Sequence, residues 1–150
     1  MTIHLKEETV RLSAVGRGLA PAEAVVMLTP AGCIAEEQLL LLEQRFPSVK
    51  IDKYVIMPTH IHVIFRFSEY TAGASPRPTL MDVVRVYKSY TTRILNEKAQ
   101  TPGRKLFQAS FYEHIIRNET AYLECWNYIE GNPGKWLDQK TANGSEEYET

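Results

Sequence analysis

The spacing of apolar residues changes several times along the chain, and each change marks an element. Residues 9–15, TVRLSAV, alternate and fit a half-buried strand. Gly16, Gly18 and Pro21 interrupt that pattern, Pro30 and Gly32 mark a second break, and residues 22–28 between them read equally as strand or helix. From 34 to 46, apolar residues at 34, 35, 39, 42 and 46 face Glu and Gln, the spacing of an amphipathic helix that Pro47 ends. Residues 51–67, IDKYVIMPTHIHVIFRF, are apolar almost throughout. Proline cannot donate to a ladder and suits a tight turn, so the region divides at Pro58 and Thr59 into a hairpin of strands 49–57 and 60–67. Residues 68–78, SEYTAGASPRP, predict a mobile loop. Thr79 is a suitable N-cap for a helix running to about Ala99, with Leu80, Val83, Val84, Tyr87, Ile94 and Leu95 as its stripe. After a break at Thr101, Pro102 and Gly103, residues 106–112 read as a strand. Asn118 caps a last helix, expected to end near Gly131 because Asn132 precedes a proline.

The order strand, helix, strand, strand, helix, strand, with an additional C-terminal helix, predicts an α+β, ferredoxin-like βαββαβ fold: an antiparallel sheet with helices on one face. A chain of 150 residues with 44% hydrophobic residues makes one domain, expected over residues 1–138, with the polar segment 139–150 a disordered tail. No apolar run approaches the roughly 18 residues of a membrane span, and the start MTIHLKEETV has no signal-peptide pattern. The expectation is a cytoplasmic protein without membrane contact. Cys33 and Cys125 stand alone and outside any CxxC pattern, which predicts thiols rather than a disulfide or zinc pair.

The net charge of −1 hides an uneven distribution. Residues 77–117 hold eight Lys or Arg against three acids, and residues 118–150 hold two against seven. A basic middle is compatible with phosphate binding on one face, although a solvated helix face explains the same count.

Two patterns carry chemistry. His60 and His62 are one residue apart on a strand, so the two-residue period points both imidazoles to one face, close enough to grip one divalent ion. In the last helix, Tyr122, Cys125, Trp126 and Ile129 form the stripe that packs on the sheet. Tyr128 lies off it and shares its face with Asn132, four residues on.

The segments YVIMPTHIHVIF (54–65), FYEHIIRNE (111–119) and YIEGNPGKW (128–136), with Lys88 in YKSY, together resemble the single-domain HUH transposases, in particular the REP-associated tyrosine transposase group. That resemblance implies a ferredoxin-like fold, His60 and His62 as metal ligands, Asn132 as a third, amide ligand, and Tyr128 as a nucleophile on a late helix. It implies Mg²⁺ or Mn²⁺ as cofactor, and nicking and strand transfer of single-stranded DNA, commonly with a hairpin nearby, through a 5′-phosphotyrosine. Relatives include dimers as well as monomers, so a homodimer stays open. Unpaired DNA suits a basic groove with stacking rings. Arg85, Lys88, Arg93, Arg104, Lys105 and Arg117 are candidates for the charge, Phe107, Phe111 and Tyr112 for the rings, and His114, like Arg117, belongs to the family pattern. The turn reads MPTH where relatives commonly carry Asn or Asp before the first histidine.

The alternative is a domesticated descendant that binds hairpin DNA without cutting. A cupin would need an all-strand barrel with a further His and a suitably spaced Glu, and a two-histidine phosphoesterase would need two H-x-S/T motifs; the sequence offers neither.

Overall fold

The structure is a computed structural model that describes residues 1–6, 10–18, 23–68 and 78–147, with side chains described as far as Gln139. Its elements are β1 (Thr2–His4), β2 (Ser13–Arg17), β3 (Ala24–Leu28), α1 (Pro30–Arg45), β4 (Val49–Ile56), β5 (His60–Phe67), α2 (Leu80–Ala99) and α3 (Glu119–Glu147). The α+β class and the antiparallel sheet hold. The main sheet has the order β1-β5-β4, and residues 106–112 flank the free edge of β1 through the bridges Leu5↔Phe107 and Thr2↔Tyr112. With that segment counted as a last strand, the order is the ferredoxin-like one, interrupted by a separate hairpin, β2-β3, between the first strand and the first helix.

The first strand of the sheet is therefore Thr2–His4, three residues too short to show alternation. The expected strand at residues 9–15 is instead displaced to Ser13–Arg17 and belongs to the hairpin, while residues 7–9 lie outside those described. Helix α1 begins earlier than the apolar spacing indicated, because Pro30 and Gly32 belong to its first turn rather than to a break. Proline is preorganised for that position. Thr29 caps the turn, accepting from Gly32 N at 3.0 Å and donating to the Arg11 carbonyl at 2.6 Å. A Cβ on residue 32 would fall 1.7 Å from the Leu12 carbonyl oxygen, so only glycine lets α1 approach the hairpin this closely.

The hairpin β4-β5 and helix α2 agree with the sequence reading. Thr79 and Asp82 form a capping box at the start of α2, with Thr79 N to Asp82 Oδ2 at 2.9 Å and Asp82 N to Thr79 Oγ1 at 3.2 Å. The expected loop at 68–78 falls almost wholly on residues 69–77, outside the described ones. Helix α3 corrects two expectations. It continues through Pro133 to Glu147, past Gly131 and through most of the tail expected to be disordered; residues 148–150 are not described.

One sheet face carries the core. Ile56, Ile61 and Val63 pack there with Ala35, Leu39 and Leu42 of α1 and Val83, Val84 and Tyr87 of α2. Leu106 and Phe107 close the same core at the β1 edge. Helix α3 lies across the other face. The β4-β5 register shifts between Ile51 and Lys53, a bulge that turns Asp52 and Lys53 both towards α3. Tyr122 donates to Asp52 Oδ2 at 3.1 Å, Lys53 pairs with Glu130, and the Lys53 ammonium lies 4.7 Å from the Trp126 ring. Cys33 is exposed and Cys125 half-buried, both free.

Candidate active site

On the α3 face of β5, His60 and His62 stand side by side, ring centroids 4.7 Å apart and planes at 76°. A threonine holds each ring. The β1-β5 register sets Thr2 opposite His62, with Oγ1 2.8 Å from Nδ1, and the turn residue Thr59 places its Oγ1 3.2 Å from His60 Nδ1. With each Nδ1 engaged, Nε2 is the nitrogen left for the cleft. Thr59 thus supplies a hydrogen bond to the first histidine.

The Asn132 side chain lies beside both imidazoles and partly opposes the fall in their pKa. Its Nδ2 donates to the Tyr128 carbonyl at 3.3 Å, which leaves Oδ1 for the histidines. Burial lowers the pKa of His60, and the neighbouring His4 adds to the effect. Burial is also the first cause at His62, followed by His60, the N-terminal ammonium and His4, and together they lower it to about 4. Both rings are neutral at neutral pH, the form that binds metals.

Among the described residues no group of three or more His, Cys, Asp or Glu is arranged to hold a metal ion. His4 has its ring 5.3 Å from His60 but is not placed as a third ligand. Two imidazoles and the nearby Asn132 amide oxygen are the donors that could hold a divalent cation with open positions for water or phosphate oxygens.

Tyr128 is 52% exposed and sets its ring at 79° to His62, centroids 5.3 Å apart. The helical period brings Lys135, Trp136 and Gln139 to the same side of α3 as Tyr128 and Asn132. The Lys135 ammonium lies 5.2 Å from the Tyr128 ring and the Trp136 ring 6.0 Å from His60. Across the cleft, Tyr112 meets His4 edge-on at 5.8 Å. These residues, with Thr2, enclose a cleft of about 450 Å³.

The fold brings together His60, His62, Tyr128 and Asn132, the residues that the sequence singled out. Thr2, His4, Lys135 and Trp136 line the same cleft and were not singled out. The first two sit on a strand too short to read, and the others lie beyond Pro133, where the helix was expected to have ended. Extending the 3.6-residue period through the proline would have found them.

The basic candidates separate. Lys88, Arg93, Arg104 and Lys105 line a groove of about 750 Å³ on the α2 side of the β1 edge, together with Lys6. Lys88 is half-buried, its ammonium donating to the carbonyls of Gln108 at 2.8 Å and Ser110 at 3.2 Å, and burial lowers its pKa. Arg85 stands off this groove, exposed and 4.0 Å from Asp82. Arg117 is exposed on the segment leading into α3, and His114 lines an apolar cleft of about 740 Å³ that opens beside His62 and Tyr128. Of the candidate stacking rings, Phe107 is in the core, Phe111 is half-buried with the Lys88 ammonium 5.7 Å from its ring, and Tyr112 is 69% exposed.

No family model matches the chain. Over 106 residues it is 33% identical to an uncharacterised protein of Haemophilus influenzae, an alignment spanning 61% of this chain and 58% of that protein. Its fold is similar to that of a REP-associated tyrosine transposase solved bound to a REP hairpin, with a TM-score of 0.64 and 21% identity over 89% of this chain and 64% of the other. The chain thus spans under two thirds of the length of each. Among the described residues no helix is long and apolar enough to cross a membrane.

Proposed function

We propose that this chain is a metal-dependent enzyme that nicks single-stranded DNA and transfers the strand through a 5′-phosphotyrosine on Tyr128. The observation that carries the reading is an exposed tyrosine set against a pair of neutral histidines, His62 buried and His60 half-buried, with Asn132, one turn along the same helix, lining the same cleft. The likeness to a transposase bound to a hairpin supports the same substrate class.

A free tyrosine with a pKa of about 10 is phenolate in roughly one molecule per thousand at neutral pH, a deficit of about 4 kcal/mol. The site offsets it in three ways. His60, His62 and Asn132 would hold Mg²⁺ or Mn²⁺, which when bound polarises the scissile phosphate and stabilises charge on the departing oxygen. Tyr128, fixed on a helix, is already oriented, and such proximity is worth up to about 7 to 11 kcal/mol in well-aligned systems. The Lys135 ammonium, 5.2 Å from the Tyr128 ring, would counter charge developing on the attacked phosphate. The Tyr128 oxygen bonds to phosphorus as the bond to the 3′ oxygen breaks; the phenolic proton leaves to solvent and the 3′ oxygen ends as a hydroxyl. The phosphodiester energy stays in the tyrosine link, so rejoining needs no nucleotide cofactor. Tyr112 and Trp136 offer stacking faces for unpaired bases. Tyr128 and His62 belong to one chain and touch, so we read them as acting in cis.

The test is incubation with a labelled library of single strands, with and without hairpins, in Mn²⁺. A covalent adduct carrying the 5′-phosphate side of the cut, absent in Tyr128→Phe, is expected. Tight hairpin binding with no adduct would instead identify a non-cleaving binding module.

A further inference from the structure

The cleft holds a third imidazole with no part yet in its chemistry. His4 stands opposite His60 in the β1-β5 register, as Thr2 stands opposite His62. Its neighbour Ile3 is buried in the core, so His4 turns to the α3 face with the other two histidines. The rings form a row across the cleft: Tyr128 lies 5.3 Å from His62, His62 4.7 Å from His60, and His60 5.3 Å from His4. The two ends of that row come from opposite sides of β5. Helix α3 is anchored on β4 through Asp52 and Lys53, and the strand order β1-β5-β4 puts β1 on the far side of β5 from that anchor. Tyr128 therefore meets the histidine pair from the α3 side and His4 meets it from β1.

His4 is also the histidine whose ring nitrogens are uncommitted. His62 has the Thr2 hydroxyl on Nδ1, and His60 has that of Thr59. Among the described residues His4 makes ring contacts only, to His60 and, edge-on at 5.8 Å, to Tyr112, and neither of its nitrogens has a hydrogen-bond partner. An imidazole keeps at least one N–H in either of its protonation states, and this half-buried ring lines the cleft, so a donor is available to a group bound there. The neighbouring polar groups are otherwise placed. Lys135 sits beside the Tyr128 ring, on the attacking side, and Thr2 Oγ1 is engaged by His62.

In displacement at a phosphodiester, the attacking and leaving oxygens lie roughly in line on opposite sides of phosphorus. With Tyr128 at one end of the row and the phosphate over the histidine pair, the departing 3′ oxygen lies towards the other end. We infer, on the strand nicking read for this cleft, that His4 is a further catalytic residue, its ring N–H donating a hydrogen bond to the 3′ oxygen as the bond to phosphorus breaks. The Tyr128 oxygen bonds to phosphorus, the electron pair of the breaking bond goes to the 3′ oxygen, and that oxygen takes its proton from solvent. His4 stabilises the charge in between, as a fixed donor does where charge develops. In rejoining, the same contact holds the 3′ hydroxyl in place to attack the phosphotyrosine.

The test uses the strand that the wild-type chain cuts best in Mn²⁺, made in two forms, one with the ordinary 3′ oxygen at the cut and one with sulfur in its place. A thiolate is a much weaker base than an alkoxide and departs without a donated hydrogen bond. His4→Ala should form the Tyr128 adduct about 100- to 1,000-fold more slowly on the oxygen strand and at close to the wild-type rate on the sulfur strand. His4→Phe, which keeps a ring against His60 and Tyr112 but has no N–H, repeats the comparison if His4→Ala melts early. An equal loss on both strands, as a strand-holding or purely structural role would give, overturns the inference, and so does an unchanged rate on the oxygen strand. A wild-type chain that forms no adduct with any strand overturns the nicking reading itself, so the two failures are told apart.

Discussion

The cleft and the groove lie on either side of the β1 edge and are lined with different materials. Among the described residues the cleft concentrates rings: three imidazoles, two tyrosines and a tryptophan, with Lys135 as the one lysine or arginine in its lining. The groove concentrates cations and leaves its one ring in the core. Rings discriminate flipped or unpaired bases by surface, whereas cations sum charge over a backbone irrespective of sequence. A neutral histidine pair could take a metal that a crowd of lysines would repel. Placing the two on different sides of one edge sets most of the cations apart from the histidines.

Several substitutions would break or sharpen this division. His62→Ala should have the largest effect, weakening Mn²⁺ binding by at least about 100-fold in titration calorimetry, since loss of a mere supporting hydrogen bond to a ligand costs about 10- to 100-fold. If it weakened metal-free DNA binding to a similar degree, the two regions would not be separate. Thr59→Val removes the hydroxyl from His60 Nδ1 and should cost Mn²⁺ affinity by about 10-fold or more, with metal-free DNA binding untouched. Lys88→Met breaks two charge-assisted bonds to the groove wall and should lower stability by about 1 to 2 kcal/mol in urea unfolding, a discounted figure because the side chain is partly solvated. It should change groove affinity before cleft chemistry. The smallest effect concerns pH. His62 has its pKa lowered from 6.5 to about 4, so the unfolded chain binds more protons between those values and stability falls as pH drops through that window. The melting midpoint of the metal-free chain should fall from pH 6.5 to pH 4, and His62→Gln should reduce that dependence.

What could be read from the sequence follows from how locally each element is determined. The β5 strand and α2 have long periodic patterns and their own start signals, and both were legible to the residue. The pairing of Tyr128 with Asn132 was legible for the same reason, as an angular relation within one helix. Strand β1 was not, because three residues carry no period and their pairing with β5 is a tertiary fact. Nor was the length of α3: a proline signals a boundary by its missing donor, and here Asn132 and Pro133 are both buried, so packing overrides the local preference. Thr2 and His4 entered the site through that unread strand, and Lys135 and Trp136 through that unread extension. Charge counts located the basic middle, but only the fold separated Lys6, Arg93 and Lys105 from Arg85, His114 and Arg117.

The bulge in β4 has a consequence for Tyr128. By adding one residue to the strand, it offers α3 two attachment points, Asp52 against Tyr122 and Lys53 against Trp126 and Glu130. They act near Tyr122 and again two turns along, and so set the helix's angle of roll. A helix that slipped by one residue would turn by about 100° and carry Tyr128 off His62, which makes an insertion in a strand the index mark that keeps a tyrosine aimed.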